Sequence, residues 1–279
     1  MNLTHARLLA SVGLAALVSL AYAAPARAQA VAPDLGTAGS YTVLGTNGIP
    51  TSGTVTCTTS TIDGDVGSTG NSITDTGPCT ITGDVDAPVA AAVVSAFDDA
   101  YDAVPILNPV CDGVVPIVTT TLPPGVYCSA AGTTIVGAVT ITLDGEGDPN
   151  AVWVFRIGTG PPGGPPGGAL TGGAGFEVVM ANEAQACNVY WWTADAVTMT
   201  DVTSFAGNVL SGAAATMTDT IWEGRALATT DVTLTDSTIT GCAAPPSVLE
   251  IPTLGQGAMA SLVALLAGMG LLVLRRRSV

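Results

Sequence analysis

The chain has no lysine, and its only histidine is His5, close to the amino terminus. Lys and Arg together number seven against 22 Asp and Glu, so the formal charge is -15. Beyond residue 30 no histidine or lysine remains for Ser-His-Asp or Cys-His catalysis, a Schiff base, a lysine phosphate loop or a histidine-ligated metal. The acidic balance argues against nucleic acid as a partner, because phosphates need basic side chains to neutralise them. The composition favours a binding or structural protein without a cofactor, not an enzyme.

The first 30 residues have the features of a secretory signal peptide. Arg7 is the positive start, residues 8–24 are apolar, and residues 26–30 contain two overlapping Ala-x-Ala cleavage sites. A membrane anchor is the alternative. We predict a mature domain over residues 31–246, in which only Arg156 and Arg225 oppose 21 acidic residues. Such a charge keeps an exported domain soluble and monomeric.

The last segment, 247–279, predicts a sorting tail. Its apolar run, 255–274, at about 1.5 Å per residue just spans the roughly 30 Å hydrocarbon layer of a membrane. Arginines 275–277 should stay on the cytoplasmic side. With Ile251-Pro252-Thr253-Leu254 at its start, the tail resembles bacterial sorting signals of the IPTL type. The resemblance implies an exosortase-like partner enzyme and a secreted or cell-envelope location in a Gram-negative bacterium; an ordinary single-span tail is the alternative.

All six cysteines lie in the predicted mature domain, and an even number in an exported chain indicates disulfides. Six cysteines allow 15 connectivities. We favour pairing of neighbours for the first two bonds and closure of the last coils for the third, which gives Cys57–Cys79, Cys111–Cys128 and Cys187–Cys242. A cysteine-ligated zinc site is the alternative, but the chain contains no Cys-x-x-Cys pair.

A threonine-rich repeat runs through residues 193–241, where 13 of 49 residues are Thr. The tetrad Thr-x-Thr-Asp begins at Thr198, Thr216 and Thr233, at offsets of 18 and 17. Such fixed-period similarity indicates a solenoid. Thr-x-Thr alternation is typical of strands, with the apolar x pointing inward. Coils of this length have room for three short strands, so the repeat predicts an all-β solenoid, an irregular three-sided β-helix.

Two segments depart from the repeat. Residues 88–104 are alanine-rich, with large apolar residues every three to four positions, which predicts a helix packed along the side of the solenoid. Asp84 or Asp86 should cap its start, and Pro105 should end it. The glycine- and proline-rich segment 160–168 is predicted to be an exposed loop.

Short stretches through most of the mature domain, taken in order, resemble the microbial ice-binding (antifreeze) β-solenoid family. They are 35–44, 81–85 with the helix that follows, 124–128, 148–158, 186–191 and 224–228. The resemblance implies a right-handed, irregular three-sided β-helix with one long α-helix alongside. It also implies adsorption to the surface of an ice crystal without chemical turnover.

A ladder of threonines is the candidate ice-binding site. Neighbouring coils stack about 4.7–4.9 Å apart and same-face residues lie about 6.5–7 Å apart along a strand, so the ladder is a flat array with spacings close to the oxygen repeats of an ice surface. The stiff χ1 of threonine keeps hydroxyl and methyl groups aligned. The candidates are Thr198, Thr200, Thr216, Thr218, Thr233 and Thr235, extended by the turn residues Thr203, Thr220 and Thr238.

Aspartates make this ladder unusual for the family it resembles. The family motif is Thr, then Ala or Gly, then any residue, then Thr or Asn. In this chain Asp201, Asp219 and Asp236 stand where the motif has Ala or Gly. A row of hydrated carboxylates predicts weakened adsorption. A neighbouring side ranks second as a candidate surface; it has Ser204, Ala206 and Asn208 over Ile221, Glu223 and Arg225.

Other functions remain open at this point. The solenoid could serve as a cell-surface adhesin or a structural spacer, which the sorting tail suits equally well. A polysaccharide-cleaving β-helix would need paired carboxylates, and the available pairs are Asp63 with Asp65 and Asp98 with Asp99. Residues 144–150 have the composition of a calcium loop but lack the spacing and terminal Glu of an EF-hand, so a turn is the simpler interpretation.

Overall fold

Strands of two to eight residues are the main regular element of the described chain, and their alternating burial follows the sequence pattern. The computed structural model describes residues 29–46, 53–158 and 167–242. Nearly all of the predicted signal peptide, most of the 160–168 loop and the whole tail, with its apolar run at 255–274, lie outside these residues. In the described ranges no helix is long and apolar enough to cross a bilayer.

The first seven strands are β1 (Tyr41–Gly45), β2 (Val55–Thr58), β3 (Thr61–Asp63), β4 (Asp65–Ser68), β5 (Thr74–Asp75), β6 (Thr80–Ile81) and β7 (Val85–Asp86). Helix α1 (Ala91–Leu107) follows. The next eight strands are β8 (Gly113–Val114), β9 (Thr120–Leu122), β10 (Gly125–Ser129), β11 (Thr133–Ile135), β12 (Val139–Asp144), β13 (Trp153–Ile157), β14 (Leu170–Gly172) and β15 (Phe176–Ala181). The last seven are β16 (Val189–Thr193), β17 (Val197–Thr200), β18 (Phe205–Ser211), β19 (Ala215–Thr218), β20 (Ile221–Ala228), β21 (Val232–Thr235) and β22 (Thr238–Thr240). Short 3-10 turns, Gly36–Ser40 and Ala186–Asn188, precede β1 and β16.

Every pairing between described strands is parallel, and the strands stack into three faces. The threonine face is the sheet β11-β14-β17-β19-β21-β2-β5. The groove face consists of β9, β12 and β15, the first halves of β18 and β20, and β22, β3 and β6. The helix face consists of β8, β10, β13 and β16, the second halves of β18 and β20, and β1, β4 and β7. These parallel sheets, with one long helix among the described residues, confirm the predicted all-β solenoid with a helix alongside.

The coils do not stack in chain order. Strand β1 pairs with β20 and β4, β2 pairs with β21 and β5, and β3 pairs with β22 and β6. The first strands of the domain therefore continue the stack beyond its last strands. One coil consists of β21 and β22 from the end of the domain and β1 from its beginning. Helix α1 returns the chain from β7 at one end of the stack to β8 at the other.

Strands β18 and β20 each serve two faces because a glycine bends them. Gly207 and Gly224 have φ of 123° and 148°, a region that residues with a Cβ rarely adopt. A Cβ at Gly224 would also overlap the carbonyl of Gly207. That carbonyl accepts a hydrogen bond from the Trp222 indole N–H at 2.8 Å, which satisfies it at the bend.

Aromatic side chains from successive coils fill the interior. Phe155 and Trp191 stack with ring centroids 3.8 Å apart, and Phe205 continues the row 5.3 Å from Trp191. Trp222 meets Phe205 edge-on at 5.1 Å. Burial of each such side chain stabilises the fold by about 1.5–3 kcal/mol, with a further contribution from ring geometry. The solenoid is thus a packed core and not a hollow tube.

Helix α1 covers the helix face with one apolar stripe, in which Val93, Phe97, Tyr101 and Val104 are buried. They pack against outward-pointing aliphatic residues of the sheet, Leu44, Val126, Val154, Leu210 and Leu227. The Tyr101 hydroxyl donates to the carbonyl of Thr193 at 2.8 Å, and burial raises the pKa of this phenol. The helix therefore covers the middle of this face, whereas Val114 in β8 and Val85 in β7 stay exposed at its two ends.

The helix ends later than the sequence predicts. Pro105 lies inside it, two residues before its last residue, Leu107. Proline has no N–H for the carbonyl four residues earlier, here that of Tyr101. The indole N–H of Trp192 donates to this carbonyl instead, at 3.0 Å, so the helix can continue. The predicted stop at Pro105 is wrong because a tertiary contact replaces the missing donor.

The predicted helix cap is also wrong. The N-cap residue is Ala90, which makes no side-chain hydrogen bond, so neither Asp84 nor Asp86 caps the helix. Asp86 instead accepts from the Tyr41 hydroxyl at 2.6 Å and ties β7 to β1. Burial, followed by the contact with Asp86, raises the pKa of Tyr41 to about 12.

Three disulfides join Cys57 with Cys79, Cys111 with Cys128 and Cys187 with Cys242, the pairs that the sequence analysis favours. Their Cα atoms are 6.1, 5.8 and 5.4 Å apart. The first lies near one end of the stack and the second near the other. The third fixes the last described residue of the chain to the coil that contains β16.

Candidate functional site

Seven threonines from seven strands stand in one column on the threonine face. Each is the direct register partner of the next, because every strand of this sheet pairs in parallel without a shift. In stack order they are Thr134, Thr171, Thr198, Thr216, Thr233, Thr56 and Thr74. A rung spacing of about 4.8 Å makes this column about 29 Å long.

A second column runs beside the first. Thr200, Thr218, Thr235 and Thr58 are register partners, and the Thr58 hydroxyl forms a hydrogen bond with that of Thr76 in the next coil. The column ends at the other side, because Gly173 and Val136 stand two residues after Thr171 and Thr134. The array is thus two threonines wide over five rungs and one wide over the last two.

The residues between the threonines anchor the array to the core. Met199, Met217, Leu234 and Cys57 point inward and are fully buried. Among the described residues, the hydroxyls of the two columns make no hydrogen bond to another protein atom, apart from the pair Thr58 and Thr76. The face therefore presents aligned methyl groups together with hydroxyl groups that can donate to and accept from water.

The structure brings six of the nine predicted site residues together on this face and separates three. Thr220 is 1% exposed and donates to the carbonyl of Thr218 at 3.1 Å, so it lies inside the corner and cannot reach a surface. Thr203 and Thr238 are exposed, but Thr238 is the register partner of Ile221 and Thr61 on the groove face. Placing these three residues on the same ladder is wrong, because the chain turns a corner after each Thr-x-Thr.

The corner also explains the aspartates. Asp201, Asp219 and Asp236 have φ of 56°, 50° and 49°, and Thr59 takes the equivalent place in the next coil with φ 49°. Aspartate is one of the few residues with a side chain that tolerate this left-handed conformation. The three carboxylates line the edge between the threonine and groove faces. They border the array instead of interrupting it.

Sequence reasoning missed six threonines of the array, namely Thr56, Thr58, Thr74, Thr76, Thr134 and Thr171. Four of them form Thr-x-Thr pairs 18 residues apart, Thr56 with Thr58 and Thr74 with Thr76, so the local signal was present. What was hidden is the stacking of β2 and β5 beyond β21.

The neighbouring surface predicted as second candidate is not one surface. Ser204 and Ala206 do lie on the groove face beside Ile221 and Glu223. Asn208 and Arg225, however, lie beyond the glycine bend on the helix face. There Arg225 donates from Nη1 to Oδ1 of Asn208 at 2.9 Å and from Nε to the carbonyl of Gly39 at 2.9 Å. Burial lowers the pKa of this guanidinium.

The carboxylates considered for catalysis occupy structural positions. Asp63 accepts from the Thr82 hydroxyl at 2.6 Å, and Asp65 accepts from the Asp84 N–H at 2.9 Å, so both hold the turn to the next coil. Asp98 and Asp99 lie on the exposed side of the helix. The pKa of Asp98 is raised by partial burial and, to a smaller extent, by the carboxylates of Asp102 and Asp99.

The loop at 144–150 is held by hydrogen bonds within itself and to the next coil. Asp144 accepts from the Asn182 side-chain amide at 2.8 Å and from the Glu146 N–H at 2.9 Å, and both bonds lower the pKa of its carboxyl. Asp148 accepts from the N–H of Asn150 at 2.8 Å. In the described ranges no three His, Cys, Asp or Glu side chains come together as a metal site would need.

Comparison with known proteins places this geometry in one family. A family model described as ice-binding-like matches residues 39–240. Ice-binding protein 1 of Shewanella frigidimarina (strain NCIMB 400) is 42% identical over 123 residues, which is 43% of this chain but only 13% of that protein. An ice-binding protein of Nostoc sp. (strain HG1) is 32% identical over 200 residues, 70% of this chain and 68% of that protein.

A solved structure has the same architecture. The crystal structure of an ice-binding protein from the Antarctic ascomycete Antarctomyces psychrotrophicus superposes with a TM-score of 0.62 at 27% sequence identity. The match covers 77% of this chain and all of that one.

Proposed function

Because the chain belongs to the ice-binding-like family, we propose that it adsorbs to ice through the threonine face and carries out no chemical reaction. The observation that carries the proposal is the column of seven threonines in unbroken parallel register. The relatives named above support ice as the partner.

The chemistry of the face suits an ordered water layer. The hydroxyls repeat about every 4.8 Å across rungs and about every 6.7 Å along a strand, which is close to the oxygen repeats of an ice surface. Each hydroxyl anchors a water, and each methyl group is poorly hydrated. Stiff χ1 angles and a buried aromatic core keep the array rigid, so little entropy is lost when the water layer freezes onto a crystal.

The test replaces one residue at the middle of the array. Thr216 is the fourth of the seven rungs, and in Thr216→Tyr the ring would stand out of the plane and hold the face away from ice. We expect the full chain with this change to lose at least about tenfold in adsorption, equivalent to about 1.4 kcal/mol, with loss of thermal hysteresis and crystal shaping.

The matched control is Thr238→Tyr, the same replacement on the groove face. It should leave hysteresis and crystal habit unchanged. Equal activity of the two variants, or wild-type protein that leaves growing crystals unshaped at high concentration, would contradict the proposal.

We propose further that the domain is exported and held at the bacterial envelope as a monomer. The signal-like residues 1–30 and the IPTL-like tail at 247–279 support this location and an exosortase-like partner. A surface-held domain could act as an adhesin that tethers its cell to ice, which joins the two functions. Cell fractionation of the full chain and of a chain ending at residue 246 tests it: only the full chain should stay with the membrane fraction.

A further inference from the structure

A groove of about 440 Å³ lies on the groove face, at the place where β18 turns away from β15. Its lining includes Val179, Met180, Ser204, Ala206, Ile221 and Glu223. The groove is deep because the side chains of Ser204 and Ala206 are small. Its walls expose aliphatic surface, since Ile221 is 59% exposed and Val179 is 37% exposed. Such a concave, mostly apolar site with few polar groups is typical of ligand sites.

One wall of the groove contains an unpaired strand edge. In β15 the odd-numbered residues bond to β12 or its following turn, as when the Ala181 carbonyl accepts from the Gly145 N–H at 3.0 Å. Even-numbered residues face the other way, where the Val178 N–H donates to the Ser204 carbonyl at 2.8 Å. That contact belongs to the single bridge between Glu177 and Ser204.

Beyond this bridge β18 turns away from β15. The N–H and C=O of Met180 are next in the alternation and therefore face the groove. Among the described residues neither group has a hydrogen-bond partner. A free donor and acceptor beside an apolar wall are the elements that bind an extended peptide as an added strand.

The charge of the groove indicates the kind of peptide. Glu223 is its one charged residue, is exposed, and has no ion-pair partner in the described ranges. The two described arginines are engaged elsewhere: Arg156 donates to the Asn108 carbonyl at 2.7 Å, and Arg225 donates to Asn208 and Gly39. Among the described residues a second copy therefore offers no free cation, which favours a different protein as the source of the matching charge.

We propose that this groove binds an extended segment of a partner protein. The segment pairs its backbone with Met180, sets small aliphatic side chains against Val179 and Ile221, and places a lysine or arginine beside Glu223. The groove lies across the aspartate-lined corner from the threonine array. A bound segment therefore leaves the array free, and the protein can hold ice and a partner at once.

The test titrates the isotope-labelled full chain with the acetylated, amidated peptide Val-Ala-Lys-Ala-Val, whose valines and lysine share one face of a strand, and follows amide chemical shifts. We expect shifts at Met180, Ala206 and Glu223 and none at Thr198 or Thr216. The glutamate counterpart, Val-Ala-Glu-Ala-Val, and a lysine peptide methylated at its central backbone nitrogens should both bind more weakly. No shift at peptide concentrations up to about 1 mM, where binding would be weaker than about 4 kcal/mol, overturns the proposal.

Two matched variants complete the test. Glu223→Gln should weaken binding of the lysine peptide about three- to tenfold, because a partly exposed ion pair contributes modestly. Glu183→Gln removes the same charge from an exposed turn outside the groove and should change nothing. Equal binding of the lysine and glutamate peptides, or equal loss in the two variants, overturns the proposal.

Discussion

The threonine face and the groove face are built by the same coils, yet only one of them keeps its strands paired in one unbroken sheet. On the threonine face each coil contributes one short strand of two to four residues, in register with its neighbours. On the groove face the contributing strands run from two residues in β6 to six in β15, and the sheet changes partners beside β15. The outward residues there mix threonine with Ile221, Glu223 and Asp63.

This difference shows that the order of a face does not follow from its threonine content. The groove face has its own threonine stack, in which Thr238, Thr61 and Thr80 are register partners, but it is interrupted by Ile221 and bordered by carboxylates. Threonine alone does not make an ordered array. A register that stays constant over seven strands makes one, and the buried residues between the threonines maintain it.

The largest loss of stability is expected when a glycine is replaced at the bend that lets one strand contribute to two faces. In Gly224→Ala the new Cβ would overlap the Gly207 carbonyl at a φ of 148°. We expect a loss of about 3 kcal/mol or more in the free energy of unfolding, measured by denaturant titration with tryptophan fluorescence. Gly137→Ala is the control: its φ is 83° and no atom lies within 4 Å of the new Cβ, so about 1 kcal/mol is expected. Equal losses would refute the steric explanation.

Removing one disulfide should loosen one end of the array. The bond between Cys57 and Cys79 closes a segment with a sequence separation of 22 that contains β5. Cys57→Ala with Cys79→Ala should reduce stability by about 3 kcal/mol through the entropy of the unfolded chain. Amide exchange should speed up around Thr74 and Thr76. The corresponding double change at Cys111 and Cys128 should instead loosen the opposite end, and exchange that speeds up in the same place for both would contradict this assignment.

A subtler change asks which atoms of the array matter. Thr216→Val keeps the shape and the stiff χ1 but removes the hydroxyl. The hydroxyl has no partner in the protein, so stability should change by less than about 0.5 kcal/mol. Adsorption to ice should fall about fivefold if each anchored water contributes about 1 kcal/mol. Unchanged hysteresis would mean that the methyl groups alone bind ice.

The smallest effect is expected at the corner. Asp201→Asn, Asp219→Asn and Asp236→Asn together remove three charges, and Asn also tolerates the left-handed conformation. Because these carboxylates border the array, the thermal hysteresis of the variant should exceed that of the unmodified protein by less than about twofold. The difference between the two proteins should shrink at higher salt, because salt screens the charges of the unmodified protein. A much larger rise would show that the carboxylates lie in the contact plane after all.

The repeat predicted those parts of the molecule in which chain order and spatial order agree. Offsets of 17 and 18 residues identified three adjacent rungs and six of the threonines on them. The same offsets could not show that β2 and β5 lie beyond β21, because β2 and β21 pair although Val55 and its partner Val232 are 177 positions apart. The Thr-x-Thr pairs at Thr56 and Thr74 were therefore visible without being assigned to the site.

The remaining errors come from tertiary contacts. Thr220 follows a corner that a left-handed Asp219 creates, and a period-two pattern carries no sign of that change in direction. Pro105 predicts a helix end by every local rule, but the indole of Trp192 supplies the missing hydrogen bond from 87 positions further along the chain. Local sequence contains the strand and its alternation, whereas the packing partner decides where an element stops.

The coil that β22 and β1 share imposes an order on biosynthesis. Strands β1 and β2 leave the ribosome first, yet their neighbours on the inner side of the stack, β20 and β21, are made last. The full seven-rung array therefore cannot assemble until synthesis of the domain is nearly complete. Until then the early strands stay unpaired on that side, as expected for a topology dominated by distant contacts. A polypeptide that stays open in this way is suited to threading through a narrow translocation channel before it closes.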